Sequence, residues 1–394
     1  MQLSLDQVRS LTTRHGSPLY VYDLAEIRSR ATQLQRLELP YGQTIRYAMK
    51  ANPHPQIIHT LMDLALQFDA SSSYEAAQLL ALGVPGNDIS LSSQQPAHNL
   101  AELLAAGVRY VATSLHQLEL FAAVSERPQT VGLRVNPGMG SGHNNRLTTG
   151  GVAASFGLWH HYLPQALALA AQHDLIIDRL HLHVGTGGDP TQWGSIMDTA
   201  LAIASAMPTV TSLDIGGGFK IAYAPDEIAA DMEQIAALFR QKLTDFAKQT
   251  GRQLSLEIEP GRWLVAHSGC LLAEIVDIVD TGPDGFQFLR TNTGMNDFLR
   301  PSLYGAQHRM QVMNQEHEQL EYVVVGHCCE TGDLLTPAPH EPEQVSPRTL
   351  NKAAIGDILM IRDTGAYCAS MATKGYNAFP SASEVCINTE AIES

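Results

Sequence analysis

The sequence predicts an α/β fold, a (β/α)8 barrel followed by a mostly β, Greek-key-like C-terminal domain. Three observations predict it. Between Thr44 and Glu259, eight short β-branched or apolar runs alternate with helical patterns. After Cys270, strand-like runs continue but no long helical pattern separates them. The 394 residues also exceed the ~250 that a barrel alone uses.

The strand candidates are TIRYAMK from Thr44, LQFDAS around Asp69, DISLS ending at Ser92 and RYVATS ending at Ser114. They continue with TVGLRV ending at Val135, IDRLHLHVG ending at Gly185, TSLDIGG ending at Gly217 and LSLEIE ending at Glu259. Patterns such as PQIIHTLMDLAL, YEAAQLLALG and DEIAADMEQIAALFRQKL repeat apolar residues every three or four positions, as helices packed on a barrel do. Gly83 and Gly107 stand where helix C-caps belong. Beyond Cys270, LLAEIVDIVD, FQFLRTN, EYVVVGH, DILMIRD and SEVCINT read as strands, and TPAPHEPEQVSP from Thr336 as a polar, proline-rich loop. The expected division is an N-terminal segment (1–30) whose strand LYVYD pairs with the β domain, an α/β barrel (31–268), and a β domain (269–394).

Composition narrows the function. Hydrophobic residues make up 44% of the chain, enough for a sizeable core. A net charge of −15 argues against nucleic acid, whose binding needs a cationic surface. It leaves room for an anionic ligand held by local arginines and backbone N–H groups. No apolar run approaches the roughly 18–20 residues of a membrane helix, and the N-terminus lacks a signal-peptide core, so a cytoplasmic address is expected. The five cysteines (270, 328, 329, 368, 386) lack metal-like spacing; reduced thiols and no metal site are expected.

Catalytic groups of such barrels gather at the C-terminal ends of the strands. Those ends carry Lys50, Asp69, Ser114, Asn136, His183, Gly216–Gly218 and Glu259, a polar, glycine-rich set suited to a phosphate-containing cofactor. Lys50 closes the apolar run YAMK; a solvated rim lysine is the plain alternative, and a partly desolvated Schiff-base amine the functional one. Gly216, Gly217 and Gly218 follow a strand directly, as a tight turn or as backbone N–H groups presented to phosphate. Glu259, in EPGR with Gly261 and Arg262, pairs with that arginine or holds a cationic ring nitrogen. His183 in HLHVGTG shares one strand face with His181; it is either a core histidine or a ring stacked on the cofactor.

Together YAMKAN, HVGTG, GGGF and EPGR resemble the motifs of the fold-type III pyridoxal-phosphate decarboxylases, over a span from about Pro18 to Pro380. NPGMGSGHNNRLTTGG from Asn136, GMNDFLRPSLYGAQH from Gly294, HCCETGDLL from His327 and DTGAYCASM with Tyr376–Asn377 are similar to the diaminopimelate branch. The resemblance implies pyridoxal 5'-phosphate on Lys50, with Asp69, His183, Thr186, Gly216–Gly218, Glu259, Gly261, Arg262 and Tyr376 around it. It implies substrate contacts from Arg262, Arg300, Tyr304, Glu330 and Tyr376, and reprotonation by Cys329. It further implies a homodimer in which Cys329 and Glu330 reach the partner's site, and conversion of meso-diaminopimelate to L-lysine and CO2. Arginine forks suit carboxylates and glutamate suits an ammonium group, which agrees with a substrate bearing two amino-acid ends. The chain departs from the branch at Ala154–Ser155–Phe156–Gly157, where a lysine is usual, and at Gly375, an apparent extra residue. Decarboxylation of another basic amino acid, polyamine precursor or secondary-metabolite intermediate, a racemase, and a non-catalytic regulator are the competing readings. Arg300 discriminates the first, Cys329–Glu330 and the RPSLY segment speak against the second, and the presence of both Lys50 and Cys329 speaks against the third.

Overall fold

The computed structural model describes residues 1–140, 150–185, 187–224 and 227–389. It divides into two compact units. One contains Arg28–Ile221 and Ile228–Leu264; the other contains Met1–Ile27, Ala222–Glu227 and the chain from Val265 onward.

The first unit is a closed parallel barrel. Its strands are Gln43–Ala48, Gln67–Ala70, Ile89–Leu91, Arg109–Ala112, Thr130–Asn136, Ile176–His181, Ser212–Asp214 and Ser255–Ile258. Each pairs in parallel with the next, and the eighth returns to the first, with Leu256 opposite Gln43 and Ile258 opposite Ile45. Local chemistry sets the helix ends. Ser72 and Ser114 accept hydrogen bonds from the backbone N–H of Glu75 and Gln117, satisfying first-turn donors that have no intrahelical partner. Gly83 and Gly107 follow their helices with φ of +88° and +92°, a conformation that costs glycine little. The helix Met232–Thr250 starts later than the apolar spacing predicts. Asp231 caps it by accepting from the N–H groups of Glu233 and Gln234.

The first barrel strand also stops short of its predicted end. Ala48 is its last residue, and Met49–Ala51 forms one 3-10 turn. The backbone N–H of Ala48 donates to Pro260 O at 3.3 Å, and the Tyr47 hydroxyl donates to Asn52 O at 2.9 Å. These bonds fold the chain over the strand end and place Lys50 on the turn.

The second unit is largely β. Gly269–Asp280 pairs antiparallel with Gln287–Thr291, Ile358–Arg362 and Leu19–Asp23. Gln319–Val325 lies parallel to Gln287–Thr291, and Ser383–Ile387 parallel to Leu19–Asp23. Alternating residues of these strands, Leu19, Val21, Cys270, Leu272 and Met360, form a core covered by Leu3 and Val8. A fully buried aliphatic side chain of this kind contributes ~1.5–3 kcal/mol. Val8 belongs to the helix Leu5–His15, which opens with a Ser4–Gln7 capping box. The segment from Thr336 corrects the loop expected from its prolines: Pro337–Ala338 pairs with Glu341–Val345 around His340, at φ +65°. Proline lacks an N–H but keeps its acceptor, and Pro337 O takes bonds from Gln307 Nε2 at 3.0 Å and Arg348 Nη2 at 3.1 Å. No described helix is long and apolar enough to cross a membrane.

Candidate active site

The C-terminal rim of the barrel brings Lys50, Asp69, His181, His183, Asp214, the glycine turn and Glu259 together. Lys50 Nζ donates to Ser71 Oγ at 3.0 Å and lies 3.8 Å from Asp69 Oδ2. Its side chain is 44% exposed, open enough for a small aldehyde to reach the amine. Asp69 is buried, and burial followed by the charge of Glu259 pushes its carboxyl up to about 7.

Charged residues fill the barrel beneath this rim. Arg179, from the sixth strand, donates to Ser90 Oγ at 2.6 Å and to Asp214, and its Nη2 lies 3.0 Å from Glu257 Oε2 and 3.9 Å from Glu259 Oε1. Arg46 Nε donates to Glu257 Oε2 at 2.6 Å, and Ser212 Oγ donates to Glu257 Oε1 at 2.5 Å. Burial works to raise Asp214 and Glu257, yet Arg179 holds both below the ordinary carboxylate range. Glu259 goes the other way: burial, then the adjacent Asp214 anion, raise it. Its Oε2 lies 3.4 Å from His181 Nε2. Burial lowers His181 to about 4, so the ring is neutral at pH 7. Burial, and after it Arg134, likewise keep His183 uncharged.

Ligand atoms of His181, Asp214 and Glu259 lie within 4.8 Å of one another, the donor set of a metal site. A divalent cation there would face the Arg179 guanidinium already bonded to Asp214, a repulsion that a buried site magnifies. A ring carrying a cationic nitrogen and a phosphate fits better. Glu259 Oε1 is buried without a hydrogen-bond partner among the described residues, an acceptor that a ring N–H would satisfy. A Cβ on Gly217 would meet Glu259 O at 2.2 Å, and one on Gly216, at φ +72°, would meet His183 Nδ1 at 2.4 Å. Only glycine lets this backbone lie so close to the glutamate and the histidine.

The remaining predicted barrel residues are placed differently. Gly261 packs against the lysine turn, its hypothetical Cβ 3.0 Å from Ala51 Cβ and 3.2 Å from Ala48 Cβ. Arg262 begins the short helix Arg262–Val265. Ser114 caps its helix, and the Asn136 side chain bonds Gly138, Gly151 and Ala154. Thr186 and residues 141–149, which carry most of the NPGMGSGHNNRLTTGG segment, lie outside the described residues. Where the sequence lacks the usual lysine, Ser155 Oγ accepts from Gln94 Nε2 at 3.3 Å and Phe156 lies under Arg134, 5.1 Å from ring centre to Cζ.

The β unit groups the others. Arg300 is buried at the start of the helix Arg300–Tyr304. Cys329 is exposed, and its N–H donates to Asn377 Oδ1 at 2.8 Å, joining the Cys329–Glu330 turn to the turn bearing Tyr376. Gly375 opens that second turn at φ +89°, a conformation that costs glycine little. Its neighbour Cys328 is buried instead: its N–H donates to Asp333 Oδ2 at 2.7 Å, and burial first, then Asp333, push its thiol up to about 11.

Sequence reasoning did not single out Arg46, Arg134, Arg179, Asp214 or Glu257 as members of this network. Strand periodicity carries the signal, since Arg179 and Glu257 stand two residues before His181 and Glu259 and share their faces.

Barrel and rim together define a pyridoxal-phosphate enzyme of the decarboxylase class. Residues 24–266 match the family model described as the pyridoxal binding domain of pyridoxal-dependent decarboxylases. Diaminopimelate decarboxylase of Streptomyces coelicolor is 31% identical, the match covering 97% of this chain and 87% of that protein. A crystal structure of diaminopimelate decarboxylase superposes with a TM-score of 0.90 at 30% identity, covering 98% of this chain and 94% of the other. The Helicobacter pylori enzyme complexed with L-lysine gives 0.87 at 25% identity, covering 97% and 94%. The chain belongs to the diaminopimelate decarboxylase family of pyridoxal-dependent decarboxylases.

Proposed function

We propose that the chain decarboxylates meso-diaminopimelate to L-lysine, with Lys50 holding pyridoxal 5'-phosphate. The observation that carries this reading is the buried, unsatisfied Glu259 Oε1 beside the Gly216–Gly217 turn, on the same rim as Lys50. Support for the substrate comes from the names of the relatives and from the L-lysine bound by the Helicobacter pylori enzyme.

When bound, the cofactor supplies an electron sink for the pair released as CO2 leaves. The chain does the rest. Ser71 and Asp69 aim the Lys50 amine. The backbone N–H groups of Gly217 and Gly218 would face the phosphate, the Gly216 N–H being donated to Asp214 Oδ1 at 2.8 Å, and His183 would pack against the ring. Glu259, flanked by neutral His181 and by an Asp214 that Arg179 keeps anionic, would hold the proton at the ring nitrogen. Arg300 and Arg262 take substrate carboxylate, with Tyr304 and Tyr376 beside them, and Glu330 takes the distal ammonium. Cys329 Sγ gives its proton to the carbon that lost CO2. The exposed Cys329 suits that role, whereas the buried Cys328 does not. The reading includes a two-fold homodimer in which Cys329 and Glu330 of one chain serve the other's cofactor. The reading includes a cytoplasmic setting, which suits five cysteines scattered in the sequence without metal-like spacing.

Release of CO2 from meso-diaminopimelate, compared with lysine, ornithine and arginine in the presence of pyridoxal phosphate, tests the assignment. Turnover of diaminopimelate alone is expected; turnover of ornithine without diaminopimelate would overturn it.

A further inference from the structure

Arg300 is 5% exposed, and the groups around it are Tyr223, Cys368, Tyr304 and Tyr367, with no carboxylate among the described residues to balance its charge. An isolated buried cation is costly, so something must fix it and something must neutralise it. The fixing groups are in place. The Arg300 Cζ lies over the Tyr223 ring, 5.4 Å from its centre, within the range of a cation–π contact. Arg300 Nε lies 3.4 Å from His308 Nε2. His308 Nδ1 lies 2.9 Å from Arg362 O; donating there leaves Nε2 as the acceptor for Arg300 Nε–H. The Tyr223 and His308 rings meet edge to face at 5.0 Å, and the Tyr223 N–H donates to Glu227 Oε2 at 3.2 Å. One face and the Nε edge of the guanidinium are therefore held, while its two Nη groups make no hydrogen bond among the described residues. That leaves the fork that grips a carboxylate in two places.

We infer that Tyr223 is a positioning residue for substrate: its ring face seats the Arg300 guanidinium so that both Nη groups meet the carboxylate that the product retains. The inference rests on the assignment of Arg300 to substrate carboxylate. Tyr223 acts through its ring, whose face lies under the Arg300 guanidinium, and its hydroxyl makes no hydrogen bond to that arginine. It leaves the chemical step alone. Its effect is confined to ligands that carry the distal carboxylate.

The test uses the holoenzyme and reads KM and kcat for meso-diaminopimelate. Calorimetric binding of L-lysine and of cadaverine, which is lysine without its carboxylate, accompanies it. Tyr223→Leu is expected to raise KM about 10-fold or more, the scale of a desolvated cation–π contact together with a misaligned fork. The same variant keeps kcat within a few-fold and loses the preference for L-lysine over cadaverine. Tyr223→Phe stays near wild type. Fluorinated phenylalanines at position 223, which weaken the ring's negative face at nearly constant shape, raise log KM in step with fluorine count; this series replaces Tyr223→Leu should that variant fail to fold. Arg300→Met separates the two claims. If it raises KM while Tyr223→Leu and the fluorinated series do not, the role of Tyr223 is overturned and that of Arg300 stands. If Arg300→Met leaves KM unchanged, the assignment of Arg300 fails and the inference with it.

Discussion

Glu259 Oε2 sits 3.4 Å from His181 Nε2, while the other oxygen of the same carboxylate has no hydrogen-bond partner among the described residues. Neither His181 Nε2 nor Glu259 Oε1 has a hydrogen-bond partner among the described residues, and Oε1 lies 3.9 Å from Arg179 Nη2, so the carboxylate keeps an open acceptor for a ligand N–H. Glu259→Gln keeps the shape and removes a carboxyl, raised to about 8 by burial and Asp214, that would become anionic only beside a protonated ring nitrogen. Its kcat is expected to fall on the order of 10²–10³-fold, the scale of a lost preorganised electrostatic contact, with cofactor still bound. Steady-state kinetics with the cofactor absorbance recorded in parallel measures this.

The buried Asp69 gives a pH dependence in the cofactor-free protein. Its carboxyl is raised to about 7 by burial and by Glu259, against an unfolded value near 3.8. Between those values the folded chain keeps a proton that the unfolded chain has released, so stability from this group is full below about 4 and is lost as pH rises through about 7. His181, lowered to about 4, acts in the opposite direction as pH falls from 6.5. Comparing melting temperatures of wild type and Asp69→Asn removes the histidine contribution. The wild type should lose ground to the variant steadily from pH 4 to 7.

The glycine turn tolerates no side chain. Gly217→Ala would push a methyl group against Glu259 O, where only 2.2 Å is available. Overpacking of this kind costs ~1–3 kcal/mol, and it moves the backbone facing the cofactor. Pyridoxal phosphate affinity, followed by fluorescence quenching, should drop at least 10-fold, with a lower melting temperature.

The adjacent cysteines should behave unequally. Cys329→Ser replaces an exposed thiol by a poorer acid and is expected to lower kcat ~10²-fold or more. Cys328→Ser alters a buried thiol 3.4 Å from Asn296 Oδ1 and should change kcat only a few-fold while shifting stability. Parallel kinetics on the two variants decides which sulfur handles the proton.

The barrel was readable because each strand carries its own apolar run and each helix its own spacing and cap, all local signals. The rim residues were readable because strand ends concentrate chemistry in this architecture. The Arg179–Asp214–Glu257 network was not, since its partners lie 35 or more positions apart and each alone reads as an ordinary charged residue. Strand spacing would have placed Arg179 and Glu257 inside the barrel; closing the sheet was needed to show that they meet. Tyr223 was missed for a similar reason, because its stacking on Arg300 joins residues far apart in the chain. The hairpin at Pro337 is hidden in the sequence because proline content signals a loop, although a proline carbonyl still accepts hydrogen bonds.

Borohydride reduction of the holoenzyme, followed by proteolysis and mass spectrometry, locates the amine that carries the cofactor. The predicted result is a single phosphopyridoxyl adduct on the peptide containing Lys50, absent from Lys50→Ala. An adduct on any other lysine, or an unmodified Lys50 in fully loaded enzyme, would contradict the account.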